Sequence, residues 1–137
     1  MQRRHVLALT GTSLLSGLVH AQSQGRPLRL VVPFPPGGAT DITARALTEP
    51  LSRLLEQPVI VDNRAGAGGS IGMAEVAKAA PDGLTLGVAT LSTHGVNPAV
   101  YKKLPYDPLK DFAAVTEVVK APGVLVVNAS LPVRDFA

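Results

Sequence analysis

Three short apolar runs, each followed by a glycine-rich or polar loop and then by a helical pattern, constrain the fold of this chain most strongly. The runs are residues 28–32, 58–61 and 84–89. A continuous apolar run of this length is typical of a strand that is buried on both faces of a parallel sheet. Because strand, loop and helix recur in this order, the sequence predicts βαβ units: an α/β fold with a mostly parallel sheet and flanking helices.

The segment between the first two runs carries the clearest helical pattern. Apolar side chains recur there at spacings of three and four, which predicts one apolar helix face within residues 40–55. Thr40 and Asp41 are residue types that cap helix starts. Pro50 lies inside the pattern and predicts a kink or a split, because proline lacks a backbone donor. The apolar row consists of Ala44, Leu47, Leu51, Leu54 and Leu55.

Shorter elements are expected further along the chain. Residues 70–80 carry a second helical pattern. Asn97 followed by Pro98 predicts a short third helix with Asn97 as its cap. Two late strands are predicted at 114–119 and 124–127.

The first 21 residues have the composition of a secretory signal peptide. Arg3 and Arg4 provide a positive start, residues 6–19 are apolar apart from small hydroxyls and glycines, and small residues precede a cleavage point after Ala21. The apolar run is too short to span a bilayer comfortably. We therefore expect export to the periplasm by the Sec route, or by Tat because of the paired arginines, and a mature chain from Gln22 that does not span the membrane.

Composition excludes several classes of function for the mature chain. There is no cysteine, so a disulfide framework and a thiolate metal site are ruled out. Once Arg3 and Arg4 are removed, acidic and basic residues nearly balance, and aromatic residues make up only 4% of the chain. Nucleic-acid binding, which requires clustered cations and stacking rings, is not supported.

The loops after the three strands carry the residue types that suit an anion. Residues 37–38 and 68–69 are glycine pairs that each precede a helix, and a helix N-terminus exposes free N–H groups and a partial positive charge. The loop at 90–94 is expected to be polar and to add hydroxyl groups, and Phe34 offers an apolar wall. The carboxyl ends of parallel strands lie at one edge of a sheet, so these loops are expected to share a crevice. The alternative, that the glycines only allow tight turns, stays open.

Two charged or titratable residues in these loops have competing interpretations. Asp41 either caps the first helix, or orients waters and pairs with Arg64. His94 is the only histidine of the mature chain, and it is either a polar lining of the site or a solvated loop residue.

Nucleotide, catalytic and metal patterns are not met. Gly38 is followed by Ala39 and Thr40 without the lysine of a P-loop, and the third glycine of a dinucleotide fingerprint would fall at Ile71. No Gly-x-Ser-x-Gly elbow accompanies His94, and its surroundings show no metal-ligand spacing. The sequence therefore predicts no catalytic residue, no metal and no cofactor.

Four segments together resemble a known family, and the match covers essentially the whole mature chain in the right order. They are PFPPGGATDITAR at 33–45, QPVIVDNRAGAGGSIG at 57–72, APDGLTLG at 80–87 and LPYDPLKDFAAVT at 104–116. This set is similar to the Bug (Bordetella uptake gene) family, the receptors of tripartite tricarboxylate transporters.

The resemblance implies a two-lobed periplasmic binding protein of type II, the Venus-flytrap class. Such a receptor holds a small carboxylate or related small polar molecule between its lobes and delivers it to the membrane subunits of a tripartite tricarboxylate-type transporter. Two loops of the first lobe carry the expected ligand contacts, and the third loop is a looser match. The residues are Phe34, Pro35, Pro36, Gly37, Gly38, Ala39, Thr40 and Asp41; Gly66, Ala67, Gly68, Gly69 and Ser70; and Thr90, Ser92, Thr93 and His94.

Length is the one departure from the family. Members run to roughly twice 137 residues or more, as expected of two lobes of ordinary domain size. The interpretation is a signal peptide at 1–21, a first α/β lobe at 22–127 and the start of a crossover at 128–137, in a truncated form that is not fully functional. The alternative is an α/β enzyme or anion-binding domain that acts on a phosphate-bearing substrate.

Overall fold

The computed structural model describes residues 25–132. The predicted signal peptide and the last five residues lie outside this range. Three strands and three α-helices alternate along the chain, and a 3₁₀ turn at Ala67–Gly69 and a π-helical turn at Leu91–Val96 separate some of them. The elements are β1 (Leu28–Val32), α1 (Ala39–Leu55), β2 (Val59–Asn63), α2 (Ser70–Ala77), β3 (Thr85–Gly87) and α3 (Asn97–Val100).

The strands form a parallel sheet in the order β2-β1-β3, as the βαβ pattern predicts. Leu30 of β1 pairs with Val61 of β2 and with Leu86 of β3. The loop after β1 leads to α1 and β2 on one side, while β3 lies on the other side. The carboxyl ends of β1 and β3 therefore flank the topological switch point, where successive connections leave to opposite sides of the sheet. Ligand crevices of open α/β sheets form at such points.

Alternate residues of β1 face the two helices, as the period of a strand requires. Leu30 and Val32 pack with Ala44 of α1 on one face. On the other face Val31 is fully buried, and α2 approaches β3 closely at Gly87. A Cβ atom at position 87 would lie 3.1 Å from Met73 Cε, so a larger residue there would have to displace this side chain. The core thus forms on both sides of the sheet.

A cluster of four charged side chains joins β1, β2 and α2 on the second face. Arg29 forms ion pairs with Asp62, at 2.6 Å, and with Glu75, and Arg64 pairs with the same two carboxylates at 3.1 and 3.3 Å. Burial opposes the charged form of Asp62, but the two guanidinium groups hold the pKa of this carboxyl below its usual value. The proposed pairing of Arg64 with Asp41 is therefore wrong, because Arg64 lies on the face opposite to α1.

Helix α1 differs from its prediction in three respects. Its N-cap is Gly38, and Asp41 is the third helical residue. The helix continues through Pro50 without a split. The apolar row is only partly buried, since Leu54 remains 79% exposed.

The remaining boundaries also shift. Helix α2 ends at Ala77, the polar loop at 90–94 is instead a π-helical turn, and α3 follows it directly with Val96 in the capping position. The late strands at 114–119 and 124–127 do not form within residues 25–132. A strand requires a neighbouring backbone, and these segments are exposed and pair with no strand in the described range.

Candidate functional site

The three loops predicted to share a crevice meet at Gly69. Its backbone has φ +91°, which favours glycine. A Cβ atom there would lie 2.6 Å from Thr93 Cγ2, 3.3 Å from Pro33 Cβ and 3.4 Å from Phe34 Cζ. Pro33 and Phe34 belong to the loop after β1 and Thr93 to the turn after β3. A residue without a side chain therefore lets all three loops pack at the carboxyl edge of the sheet.

Asp41 organises the first loop. Its Oδ2 accepts hydrogen bonds from the Gly37 N–H at 2.8 Å and from Arg45 Nε at 2.9 Å. Its Oδ1 accepts one from Asn63 Nδ2 at 2.9 Å. The same Asn63 nitrogen also donates to the Phe34 carbonyl at 3.1 Å, which ties the loop to the end of β2.

This network explains how the Asp41 carboxylate can lie beside a loop that is expected to bind an anion. Asp41 is only 2% exposed, and the hydrogen bonds from Arg45, Gly37 and Asn63 hold its pKa well below the usual value. The ionised carboxylate is thus compensated by three donors, one of which is the cation Arg45. It stabilises the loop from beneath and does not present its charge to the surface.

The start of α1 is open. Gly38 and Ala39 are exposed, and no side chain caps this helix. The first N–H groups of an α-helix have no partner within the helix. A helix of 17 residues therefore presents uncapped donors and the positive end of its dipole at the carboxyl edge of β1.

The second loop is arranged differently from its prediction. The Gly69 N–H donates to the Gly66 carbonyl at 2.9 Å, and the Ser70 N–H donates to the Ala67 carbonyl. These two donors at the start of α2 are occupied by the 3₁₀ turn. The exposed surface of this loop is instead the backbone of residues 66–68, where even Ala67 has a positive φ of +46°.

The third loop is stabilised by reciprocal contacts between two threonines. The Thr93 N–H donates to Thr90 Oγ1 at 3.4 Å, and the Thr90 N–H donates to Thr93 Oγ1 at 2.9 Å. Thr93 is fully buried, and its carbonyl accepts a 2.6 Å hydrogen bond from the Tyr106 hydroxyl. The Thr93 hydroxyl therefore shapes the turn, while Ser92 beside it is exposed.

His94 packs in an aromatic cluster. Its ring lies 5.0 Å from Phe112 and 6.1 Å from Tyr106, centre to centre, and its Nδ1 lies 2.9 Å from Thr93 Oγ1. Burial lowers the pKa of His94, which favours the neutral imidazole. The half-buried ring is thus not freely solvated, and among residues 25–132 it is paired with no carboxylate.

The predicted site residues separate into three groups by exposure. The exposed group offers mainly backbone, and the buried group supports the loops. Exposed are Pro35, Pro36, Gly37, Gly38, Ala39, Gly66, Ala67, Gly68 and Ser92; half-buried are Phe34, Thr40, Thr90 and His94; buried are Asp41, Gly69, Ser70 and Thr93.

Several supporting residues were missed by sequence reasoning. Asn63 and Arg45 complete the Asp41 network, and Asn97 and Tyr106 hold the second and third loops. The only available signal was the position of Asn63 at the end of a strand. Asn97 was interpreted only as a helix cap.

No cluster of three or more metal-binding side chains occurs within residues 25–132. In the same range, none of the helices is both long and apolar enough to cross a membrane.

A concave surface at the opposite, amino edge of the sheet lies between Arg26, Ile60 and Thr85. Its lining contains none of the predicted site residues.

Comparison with known proteins gives one consistent result. The sequence pattern of the tripartite tricarboxylate transporter family receptor, TctC, matches residues 43–137. Protein BugT of Bordetella pertussis is 47% identical over 107 residues, which cover 77% of this chain and 33% of BugT. The chain therefore spans about a third of the length of this relative.

Two solved structures agree in fold. MatC from Rhodopseudomonas palustris, solved with bound malate, is 48% identical with a TM-score of 0.62, and the match covers 64% of this chain and 30% of MatC. A second R. palustris protein, solved with adipate, is 42% identical with a TM-score of 0.59, and the match covers 61% of this chain and 28% of that protein. The predicted α/β fold of a periplasmic binding protein is confirmed. The chain belongs to the family of tripartite tricarboxylate transporter receptors.

Proposed function

We propose that this chain contributes to a periplasmic solute receptor that binds a small carboxylate, or a related small polar molecule, for a tripartite tricarboxylate-type transporter. The observation that carries the proposal is the open N-terminus of α1 at the carboxyl edge of β1, where Gly38 and Ala39 are exposed and uncapped. Helix N-termini bind carboxylates through free N–H groups and the helix dipole.

The charge arrangement around this helix start supports an anionic ligand. Asp41 is paired with Arg45, so its carboxylate does not repel a second one nearby. The exposed backbone of residues 66–68 lies across Gly69 from the same loop and offers further polar groups. The malate and adipate bound by the two R. palustris relatives belong to the expected ligand class.

The domain assignment remains part of the proposal. Residues 22–127 would form the first lobe, and residues 128–137 would begin the crossover to a second lobe. Since the chain spans about a third of BugT, we expect further ligand contacts to come from residues outside it. The 137-residue chain should then bind its ligand weakly or not at all in calorimetry.

A receptor of this family binds and releases its ligand without chemistry, so we propose no enzymatic activity. Family membership disfavours the alternative of an α/β enzyme acting on a phosphate-bearing substrate. Turnover of such a substrate that is lost on His94→Ala would support the alternative and contradict the receptor.

Localisation in the periplasm, with cleavage after Ala21, is tested by cell fractionation and N-terminal sequencing. We expect the exported form to begin at Gln22. Replacing Arg3 and Arg4 with lysine distinguishes the two routes, because the Tat route requires the arginine pair and Sec export only requires positive charge. Retention of the uncleaved chain in the cytoplasm would contradict the export proposal.

Ligand binding is best tested by two-dimensional NMR, which detects millimolar affinities. The labelled chain is titrated with malate and with adipate, and the corresponding neutral diamides serve as controls. We expect saturable shifts of the amides at 37–39 and 66–68 with the diacids only. Unchanged spectra, or equal shifts with the diamides, would contradict an anion site at these loops.

A further inference from the structure

The buried side chain of Asn97 connects the second loop to the turn that follows β3. Asn97 is 4% exposed and lies at the start of α3. Its Nδ2 donates one hydrogen bond to the Gly68 carbonyl at 2.9 Å and another to Ser70 Oγ at 3.0 Å. Both hydrogens of the Asn97 amide therefore bond to a loop that lies 27 to 29 residues earlier in the chain.

The loop that Asn97 holds has an unfavourable backbone. Residues 66, 67, 68 and 69 have φ values of +133°, +46°, +62° and +91°. A run of left-handed residues that includes an alanine persists only where surrounding contacts hold it. The 3₁₀ hydrogen bonds lie within the loop, whereas the Asn97 contacts come from outside.

Asn97 also lies close to the exposed face of the loop. A Cβ atom on Gly68 would lie 3.1 Å from Asn97 Oδ1 and 3.5 Å from the Tyr101 hydroxyl. Glycine at 68 thus lets the carboxamide reach the Gly68 carbonyl and the Ser70 hydroxyl. The turn at Leu91–Val96 precedes Asn97 directly, so the Asn97 hydrogen bonds link this turn to the loop in addition to the packing of Thr93 near Gly69.

We propose that Asn97 is a positioning residue of the ligand site, and that its carboxamide sets the conformation in which the backbone of residues 66–68 faces the ligand. This rests on the proposed function for its ligand-binding consequence, but not for its effect on the loop. Asn97 acts through Gly68 and Ser70.

Three variants test the inference in the 137-residue chain. Asn97→Asp keeps the size of the side chain but replaces the donating amide with an acceptor. Ser70→Ala removes one of the two acceptors. Tyr101→Phe is the matched control, because it removes a hydroxyl beside Gly68 that makes no hydrogen bond to the loop within the described residues.

The first measurement is amide hydrogen exchange without ligand. We expect the Gly69 N–H to exchange about tenfold faster in Asn97→Asp. Ser70→Ala should give a smaller increase, and Tyr101→Phe should stay within about twofold of the unmodified chain. The Val88 N–H, which donates to Val31 in the sheet, should be unaffected in all three.

The second measurement is the malate titration by NMR. Asn97→Asp should lose the malate-induced shifts at 66–68 and keep those at 37–39, a split that a general loss of stability would not produce. Exchange and shifts identical to those of the unmodified chain in Asn97→Asp would overturn the inference.

Failure of the inference and failure of the proposed function remain distinguishable. If the unmodified chain shows no malate shifts, the proposed function is contradicted, and the exchange rate of Gly69 still decides the role of Asn97. If Asn97→Asp does not fold, Ser70→Ala decides it: faster Gly69 exchange supports the inference, and an unchanged rate overturns it.

Discussion

Asp41 is a buried charge whose every nearby partner is a donor. One carboxylate oxygen receives the Gly37 N–H and Arg45, and the other receives Asn63. A carboxylate removed from water is stable only when such donors replace its hydration. The position of Asp41 in the first turn of α1 adds a favourable interaction with the helix dipole.

Asp41→Asn should lower the thermal unfolding midpoint by a few degrees at neutral pH, because the amide cannot accept equally from Arg45 and Asn63. The pKa of Asp41 is lower in the folded chain than its ordinary value of 3.8, so the unfolded chain binds more protons in acid. The stability that Asp41 provides is therefore complete above about pH 5 and is lost as the pH falls through about 4 and below.

Melting curves of both forms between neutral and acidic pH test this. The difference in melting temperature between the two forms should shrink as the pH falls. Asp62, whose pKa is also lowered, is present in both forms and therefore does not contribute to this difference. A difference that stays constant with pH would contradict the assignment of the stabilisation to the charged carboxylate.

Gly69 and Gly37 provide a matched pair for the packing of the three loops. Both have a positive φ, +91° and +86°, but a Cβ atom would meet three neighbours at position 69 and nothing within 4 Å at position 37. We expect Gly37→Ala to cost about 1 kcal/mol of unfolding free energy from backbone strain. Gly69→Ala should cost about 3 kcal/mol, because displacement of Thr93 adds to the strain. Equal losses in chemical denaturation would show that the loops do not pack tightly at this point.

At the scale of elements, the sequence predicts what depends on neighbours along the chain. The apolar runs gave β1 and β2 within one or two residues, because burial on both faces leaves a continuous apolar signal. The cap of α1 was misplaced, since Thr40 and Asp41 are capping types but Gly38 takes that position. The late strands were wrong because strand propensity has no effect without a pairing partner.

The end of α1 carries a residue in an unfavourable conformation. Glu56 follows the last helical residue with φ +51° and ψ +30°, the left-handed region in which glycine is the preferred helix terminator. Glu56→Gly should raise the free energy of unfolding by about 1 kcal/mol. Glu56→Ala is the control, because it removes the same carboxylate and keeps the strain. If both variants have equal stability, strain at this position is negligible.

At the scale of the whole molecule, the candidate site is assembled by contacts that link distant residues. Asn63 reaches Asp41 across 22 positions, and Asn97 reaches Gly68 across 29. Sequence reasoning placed the three loops at one edge of the sheet, because parallel strands bring their carboxyl ends together. It did not identify the amides that join them, because a side-chain hydrogen bond over such a separation leaves no local pattern.

An apolar segment near the end of the described residues is exposed to solvent. Val124, Leu125 and Val126 are 83%, 73% and 80% exposed, in a run of β-branched and aliphatic residues. Such a segment pairs readily with other exposed strands. We expect the 137-residue chain to self-associate as its concentration rises, and Leu125→Lys to suppress this without changing the melting temperature, since Leu125 supports no core.

Thr116→Lys is the control, because it adds the same charge to another exposed position and should leave the association unchanged. Sedimentation velocity over a concentration series separates these outcomes. Equal suppression by both lysines would assign the association to overall charge, and its persistence in Leu125→Lys would place the contact elsewhere.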